Sequence, residues 1–119
     1  MDIEVTEEFL RSVKPIAKRY RSFNKDYQAL LDELEKNPHA GIDLGGGYRK
    51  VRMAIASKGK GKSAGARVIT LNYVEINGKL YLLYAYDKSE VDSIDISIIK
   101  EMVAGMGILI SPESPYKGQ

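Results

Sequence analysis

The sequence predicts an α+β domain: two N-terminal helices packed on a small antiparallel sheet of three to four strands, followed by a C-terminal helix. Three observations carry that prediction. Apolar residues between positions 9 and 34 recur at helical spacing. Beyond the triplet Gly45-Gly46-Gly47 the period changes from 3.6 to 2, as side chains on alternate faces of a strand require. From Ile98 to Met106 helical spacing returns. At 119 residues and 13.3 kDa the chain suits one core. The expected organisation is a single domain over residues 1–110 and a flexible tail over 111–119, where Pro112, Pro115 and Gly118 leave little apolar side chain to pack.

Met1 to Val5 reads as a short edge strand. Thr6 is a helix N-cap, with Glu7 and Glu8 favourably placed against the positive end of the helix dipole. Phe9, Val13, Ile16, Ala17 and Tyr20 share one face of the first helix, and Pro15, which lacks the interior N–H, is expected to kink or split it. A second helix runs from about Asn24 to Lys36 with Tyr27, Leu30, Leu31 and Leu34 on its buried side, and Asn37-Pro38 ends it. The two form a helical hairpin. The first strand of the meander spans Tyr48 to Ser57, with Lys50 and Arg52 on one face. Ser57 to Gly65 contains only Gly, Lys, Ser and Ala, so it reads as a long loop whose lysines are free to reach. A second strand from Arg67 to about Glu75 leads through Asn77-Gly78, a two-residue hairpin signal, into a third from Lys79 to Tyr86. Asp95 caps the last helix, Ile98, Ile99, Met102, Val103 and Met106 form its stripe, and Gly105 or Gly107 ends it.

Composition removes several classes of function. The absence of cysteine excludes disulfide scaffolds, thiol catalysis and cysteine-based zinc sites. A single histidine, His39, excludes histidine clusters and reads as a surface loop residue. No acidic cluster has metal-ligand spacing, so neither a metal nor another cofactor is expected, and Asp92 and Asp95 read as caps. The longest apolar runs, Tyr81 to Tyr86 and Val103 to Ile110, fall far short of the roughly 20 residues of a spanning helix. The acidic start Met1-Asp2-Ile3-Glu4 lacks the basic region of a secretory leader, so the expected location is the cytoplasm.

The net charge of +2 conceals an uneven distribution. Residues 44–74 hold Arg49, Lys50, Arg52, Lys58, Lys60, Lys62 and Arg67 and no carboxylate, whereas the segments on either side are net negative. Three of these cations fall on predicted strands. A 31-residue polycation of this kind points to a phosphate-rich partner. Two phosphate motifs fail on inspection. Gly61-Lys62-Ser63 lacks the first glycine of a P-loop, because position 56 is Ala56, and the glycine triplet lacks the third glycine of a dinucleotide fingerprint, because position 50 is Lys50.

What remains is Tyr48-Arg49-Lys50-Val51-Arg52, the phrase Ser57-Lys58-Gly59-Lys60-Gly61-Lys62-Ser63 before Gly65-Ala66-Arg67-Val68-Ile69, and Tyr81-Leu82-Leu83-Tyr84-Ala85-Tyr86-Asp87-Lys88-Ser89-Glu90. With these motifs in this order, the chain resembles the toxins of the RelE/ParE superfamily, nearest its HigB-like branch, over about residues 7 to 105. The resemblance implies a type II toxin that enters the ribosomal A site and cuts messenger RNA there. The ribose 2′-hydroxyl attacks the adjacent phosphate and leaves a 2′,3′-cyclic phosphate, without a metal. The partners implied are the ribosome, its message and a cognate antitoxin, in this branch usually a helix-turn-helix protein of the HigA kind; self-association as a homodimer stays open.

By position, the resemblance assigns Arg67 to phosphate clamping and makes Lys50, Arg52 and Lys88 the rest of the basic catalytic set, with Lys50 or Lys88 as the base. Relatives carry a tyrosine or histidine beyond the last-strand basic residue, but Ser89 to Ile99 holds neither. Tyr86, Asp87 or the lysines themselves are then the proton donors to consider. Lys58, Lys60, Lys62 and Arg49 are expected to bind RNA or ribosome. Tyr84 either stacks on a base or caps the core. Two other functions compete: a ParE-like inhibitor of DNA gyrase, against which the full basic set argues, and a non-catalytic nucleic-acid-binding module in which Arg67 is expendable.

Overall fold

The computed structural model describes residues 1–59 and 64–106. The tail expected over 111–119, and Gly107 as a helix end, lie outside the described residues.

The chain is α+β, and its sheet has five strands, more than the three to four expected. β1 (Asp2–Val5), β2 (Ile42–Gly45), β3 (Tyr48–Met53), β4 (Ala66–Tyr73) and β5 (Lys79–Asp87) lie in the order β1-β5-β4-β3-β2. β1 pairs with β5 in parallel and the other three pairings are antiparallel. Helices α1 (Glu7–Arg19), α2 (Phe23–Lys36), α3 (Val74–Asn77) and α4 (Ile96–Met106) complete the fold.

Thr6 caps α1 as its sequence requires. Its hydroxyl oxygen accepts from the Phe9 N–H at 3.1 Å, satisfying one of the orphan donors of the first turn, and the same hydroxyl donates to the Leu82 carbonyl of β5 at 3.0 Å. Helix and sheet are thereby tied at their junction. Pro15 does not split α1, which runs unbroken from Glu7 to Arg19. Phe9, Val13 and Ile16 are buried on both sides of the proline, and that burial outweighs the one backbone bond it forfeits. In α2, Phe23, Leu30 and Leu34 are buried, and the Phe23 and Tyr27 rings stack at 5.8 Å. The Asn37 N–H closes this helix on the Glu33 carbonyl at 2.9 Å, one residue before Pro38.

Three boundaries differ from expectation, each for a visible reason. β3 ends at Met53 instead of Ser57, because the chain turns down onto the corner between α1 and α2. There the Ile55 side chain is wholly buried, the Asp26 carboxylate accepts from the Ala56 N–H at 3.2 Å, and the Ser22 hydroxyl accepts from the Ser57 N–H at 2.9 Å. β4 ends at Tyr73, and the expected two-residue hairpin at Asn77-Gly78 is the helical turn α3. The Asn72 side chain starts that turn by accepting from the Val74 N–H at 2.9 Å, and Gly78 stops it with φ +79°, a conformation glycine adopts without strain. In α4 the stripe is narrower than the spacing suggests: Ile99 and Val103 are buried, Ile98 is 57% exposed, and Gly105 lies within the helix. Asp95 does serve its start, accepting from the Ser97 N–H at 3.0 Å and the Ser97 hydroxyl at 2.9 Å.

The sheet is covered on both faces. One core unites Phe9, Val13, Ile16, Leu30 and Leu34 of the helical hairpin with Val51, Met53, Val68, Leu80 and Leu82 of the strands. A second unites Ile99 and Val103 of α4 with Tyr48, Ile69, Leu71, Tyr81, Leu83 and Tyr86. Among the described residues, no helix is long and apolar enough to cross a membrane.

Candidate functional site

Strand register places the cations. Lys50 of β3 lies opposite Ile69 of β4, which lies opposite Tyr84 of β5; the next row on the same face is Arg52, Arg67 and Tyr86. Alternation puts Tyr48 on this face as well, and there it joins the apolar core that α4 seals. Tyr86 of the cationic row joins that core too, whereas the row's cations lie at its margin. That margin opens into a cleft of ≈ 600 Å³ lined by Lys50, Arg52, Arg67 and Lys88, with Glu33, Gly41, Ile42, Val51 and Asp92 completing the walls. Four of the five residues expected to be catalytic therefore meet in one concavity, although they are spread over 39 positions from Lys50 to Lys88.

Two guanidinium groups in direct cross-strand register repel, and one of them is buried: Arg67 is only 6% exposed. Burial and the neighbouring Arg52 both pull the Arg67 pKa below its ordinary value, with Tyr86 acting in the opposite sense, yet a guanidinium stays charged at any physiological pH. Arg67 donates to its neighbour's carbonyl, Ala66 O, at 3.2 Å. A pair held together against its own repulsion is suited to gripping an anion. The forked donors of Arg52 and Arg67 match the oxygens of a phosphate better than ammonium groups would. The Lys88 ammonium, also at the cleft, pairs with Asp92 at 3.2 Å, so Asp92 acts as a surface counter-charge, and the capping expected of it falls to Asp95.

Tyr86 stands next to Arg67 in the register but does not line the cleft. Its hydroxyl is buried and has no hydrogen-bond partner among the described residues. Burial raises the Tyr86 pKa, against the opposite pull of Arg67, so the phenol keeps its proton. Tyr84 is partly buried against the second core, beside the Lys50 row. Its placement favours capping of that core.

Two expected contact residues and one candidate proton donor are arranged differently. Lys58, taken as a free loop lysine, is committed: its ammonium donates to the Asp87 carboxylate at 2.8 Å and to the Ala64 carbonyl at 2.6 Å, and its side chain is 11% exposed. Arg49 points away from the cationic row, because alternation sends it to the other face of β3. It ties down the strand's own approach, donating to the Ala40 carbonyl at 3.2 Å and the Gly41 carbonyl at 2.9 Å. Asp87, one of the candidate proton donors, is a buried anion. It accepts from Arg19 at 2.9 Å, from the Tyr20 hydroxyl at 2.7 Å, from Lys58, and from the Ser89 N–H and hydroxyl at 3.0 and 2.7 Å. Burial alone would raise its pKa, but the hydrogen bonds from Lys58, Tyr20 and Ser89 outweigh burial and hold it far below the carboxylate range. It cannot supply a proton near neutral pH. Lys60 and Lys62 lie outside the described residues.

No family model matches the chain. Sequence reasoning also missed Gly41 and Ile42 as cleft walls, because it overlooked β2, and Glu33, because the packing of α2 beside β3 is not local in sequence. The alternation Ile42-Asp43-Leu44 ahead of the glycines is the only trace of β2, and four residues are too few to separate a strand from a loop. Gly41 is required there. Its φ of +96° suits glycine, and a Cβ would strike the Lys50 carbonyl.

One consequence concerns Tyr86. Tyr86→Phe removes a hydroxyl that bonds to nothing among the described residues, so the unfolding midpoint in urea is expected to stay the same or rise slightly. That hydroxyl does not line the cleft, so it is not placed to hand a proton to a group held there.

Proposed function

We propose that this protein is the toxin of a type II toxin–antitoxin pair of the RelE/ParE superfamily, nearest the HigB-like branch, and that it cuts messenger RNA in the ribosomal A site. The observation that carries this reading is the convergence of Lys50, Arg52, Arg67 and Lys88 on one cleft. The α+β class, with α1 and α2 ahead of the antiparallel strands and α4 after them, supports it as well, since a RelE-like fold is expected in that order. The cognate antitoxin would be a helix-turn-helix protein of the HigA kind.

The reaction needs three services from the protein. The O2′ atom forms a bond to phosphorus as the bond from phosphorus to O5′ breaks, one proton leaves O2′, and one arrives at O5′. Arg67 and Arg52 grip the non-bridging oxygens, where charge builds as the ring closes, and stabilise that state more than the ground state. Lys50, on the strand floor of the cleft, takes the O2′ proton. Lys88, at the same cleft and paired with Asp92, delivers a proton to O5′. The products are a 2′,3′-cyclic phosphate and a 5′-hydroxyl, so atoms and charge balance without a further reactant.

The reading is tested on purified ribosomes carrying a defined message. Lys88→Ala is expected to lower the cutting rate on the order of 10²-fold or more while leaving ribosome affinity within a few-fold, the pattern of a proton carrier. Equal losses in affinity and rate would mean that Lys88 only binds. Salt provides a second check. If Z cations meet phosphates, the logarithm of affinity falls linearly with the logarithm of salt concentration, with slope about −0.7Z for single-stranded RNA. A slope near zero would contradict a phosphate-lined site.

A further inference from the structure

The polar cluster around Asp87 has no place in the chemistry above, yet it joins more of the molecule than any other side chain described. Arg19 and Tyr20 reach its carboxylate from the end of α1, Lys58 reaches it from the stem of the lysine loop, and Ser89 closes the turn after β5 onto it. Asp87 is 3% exposed and lies between Tyr86 and Lys88 in the chain. The Glu90 and Val91 N–H groups both bond its carbonyl at 3.0 Å, and the Lys88 N–H bonds the Gly65 carbonyl at 3.1 Å. The backbone around Lys88 is therefore held on one side by the turn that Ser89 closes onto this carboxylate and on the other by the loop stem at Gly65.

We propose that Asp87 is a positioning residue: its ion pairs with Lys58 and Arg19 lock the loop stem and the end of β5 together, holding Lys88 at the cleft, and Lys58 serves that lock instead of binding RNA. The inference rests on the endonuclease reading for its catalytic half. The assignment of Lys58 stands apart from it. Lys58 also lies 5.3 Å from the centre of the Tyr20 ring, so an acceptor carboxylate, a carbonyl and an aromatic face surround its ammonium. A cation already neutralised in this way is not available to displace a counterion from a phosphate.

The test uses the full chain, ribosomes carrying a defined message, and three variants: Asp87→Asn, Lys58→Met, and the two combined. Asp87→Asn keeps the shape and removes the charge. The saturating cutting rate is expected to fall on the order of 100-fold, the loss that a misplacement of about 1 Å brings, with the half-saturating ribosome concentration unchanged within about twofold. Should Asp87→Asn fail to fold because it strands the buried Lys58 cation, the combined variant, which replaces the Lys58 pair by neutral groups, takes its place. The combined variant is expected to cut no more slowly than Asp87→Asn by more than about threefold, since both changes break one lock. Lys58→Arg, which keeps the cation, is expected to recover most of the rate that Lys58→Met loses. A folded Asp87 variant that cuts at the wild-type rate overturns the positioning role.

Salt separates the two halves. Lys58→Met is expected to leave the slope of ribosome affinity against salt unchanged, whereas a shallower slope, by about 0.7 for one phosphate contact, overturns the assignment of Lys58. If the wild-type protein binds ribosomes and cuts nothing, the endonuclease reading and the catalytic role of Asp87 fall together, and the salt slope alone still decides what Lys58 does.

Discussion

Arg67→Ala is expected to reduce message cutting by about 10²- to 10³-fold, the loss seen when one preorganised donor to a developing anion is removed, while ribosome binding falls only a few-fold. The reasoning starts from the register. Arg67 lies opposite Arg52, at 6% exposure, and its charge is disfavoured there by burial and by Arg52. A guanidinium fixed at the cleft in this way is placed to stabilise a state in which a phosphate carries extra charge. Arg67→Met, which keeps the buried stem and removes only the cation, separates chemistry from packing. It is expected to lose cutting as completely as the alanine variant and to retain more of the folding stability, read from the urea midpoint. Arg67→Lys keeps a charge but not the fork, and its rate is expected to lie between the two extremes.

The second large effect is on stability. Asp87→Ala is expected to cost about 3–5 kcal/mol, because it leaves the largely buried Lys58 ammonium without its carboxylate, whereas Arg19, 40% exposed, keeps its pair with Glu90. Urea unfolding at neutral pH measures it directly. Acid should act on the same group. Asp87 titrates far below its ordinary value of 3.8 in the folded chain, so the unfolded state takes up a proton first as pH falls. Its contribution is complete above about pH 4 and is lost progressively below it. Wild type should therefore lose stability steeply between about pH 4 and pH 2, and Asp87→Asn should show a shallower decline over that window. An identical pH dependence in the two proteins would contradict the ionised, paired state of Asp87.

The sequence disclosed the helices more fully than the sheet. Thr6, Asn37 and Asp95 announce helix ends by chemistry that acts within three or four residues, so each is legible locally. Pairing partners are not local. The parallel union of β1 with β5 joins Asp2–Val5 to residues some 77 positions away, and no periodicity within either segment encodes it. The same distinction governs the site. Charge arithmetic singled out Arg52 and Arg67, because both fall within the acid-free stretch, and alternation placed Lys50 with Arg52. Lys58 belonged to that stretch too, but its partner Asp87 lies 29 residues on, and composition cannot tell a lysine that reaches outward from one that folds back onto a distant carboxylate. Arg49 was misassigned for the opposite reason: its parity already sets it on the other face from Lys50 and Arg52, and charge alone hid that.

The most direct measurement adds the purified protein, and separately Arg67→Ala, to a cell-free translation reaction and maps message ends by primer extension, with and without ribosomes. The proposal predicts cuts inside codons that appear only when ribosomes are present, end in a cyclic phosphate, and vanish with Arg67→Ala. Intact messages with normal protein output would contradict it and would turn attention to inhibition of gyrase supercoiling, with the cationic cleft as a binding surface.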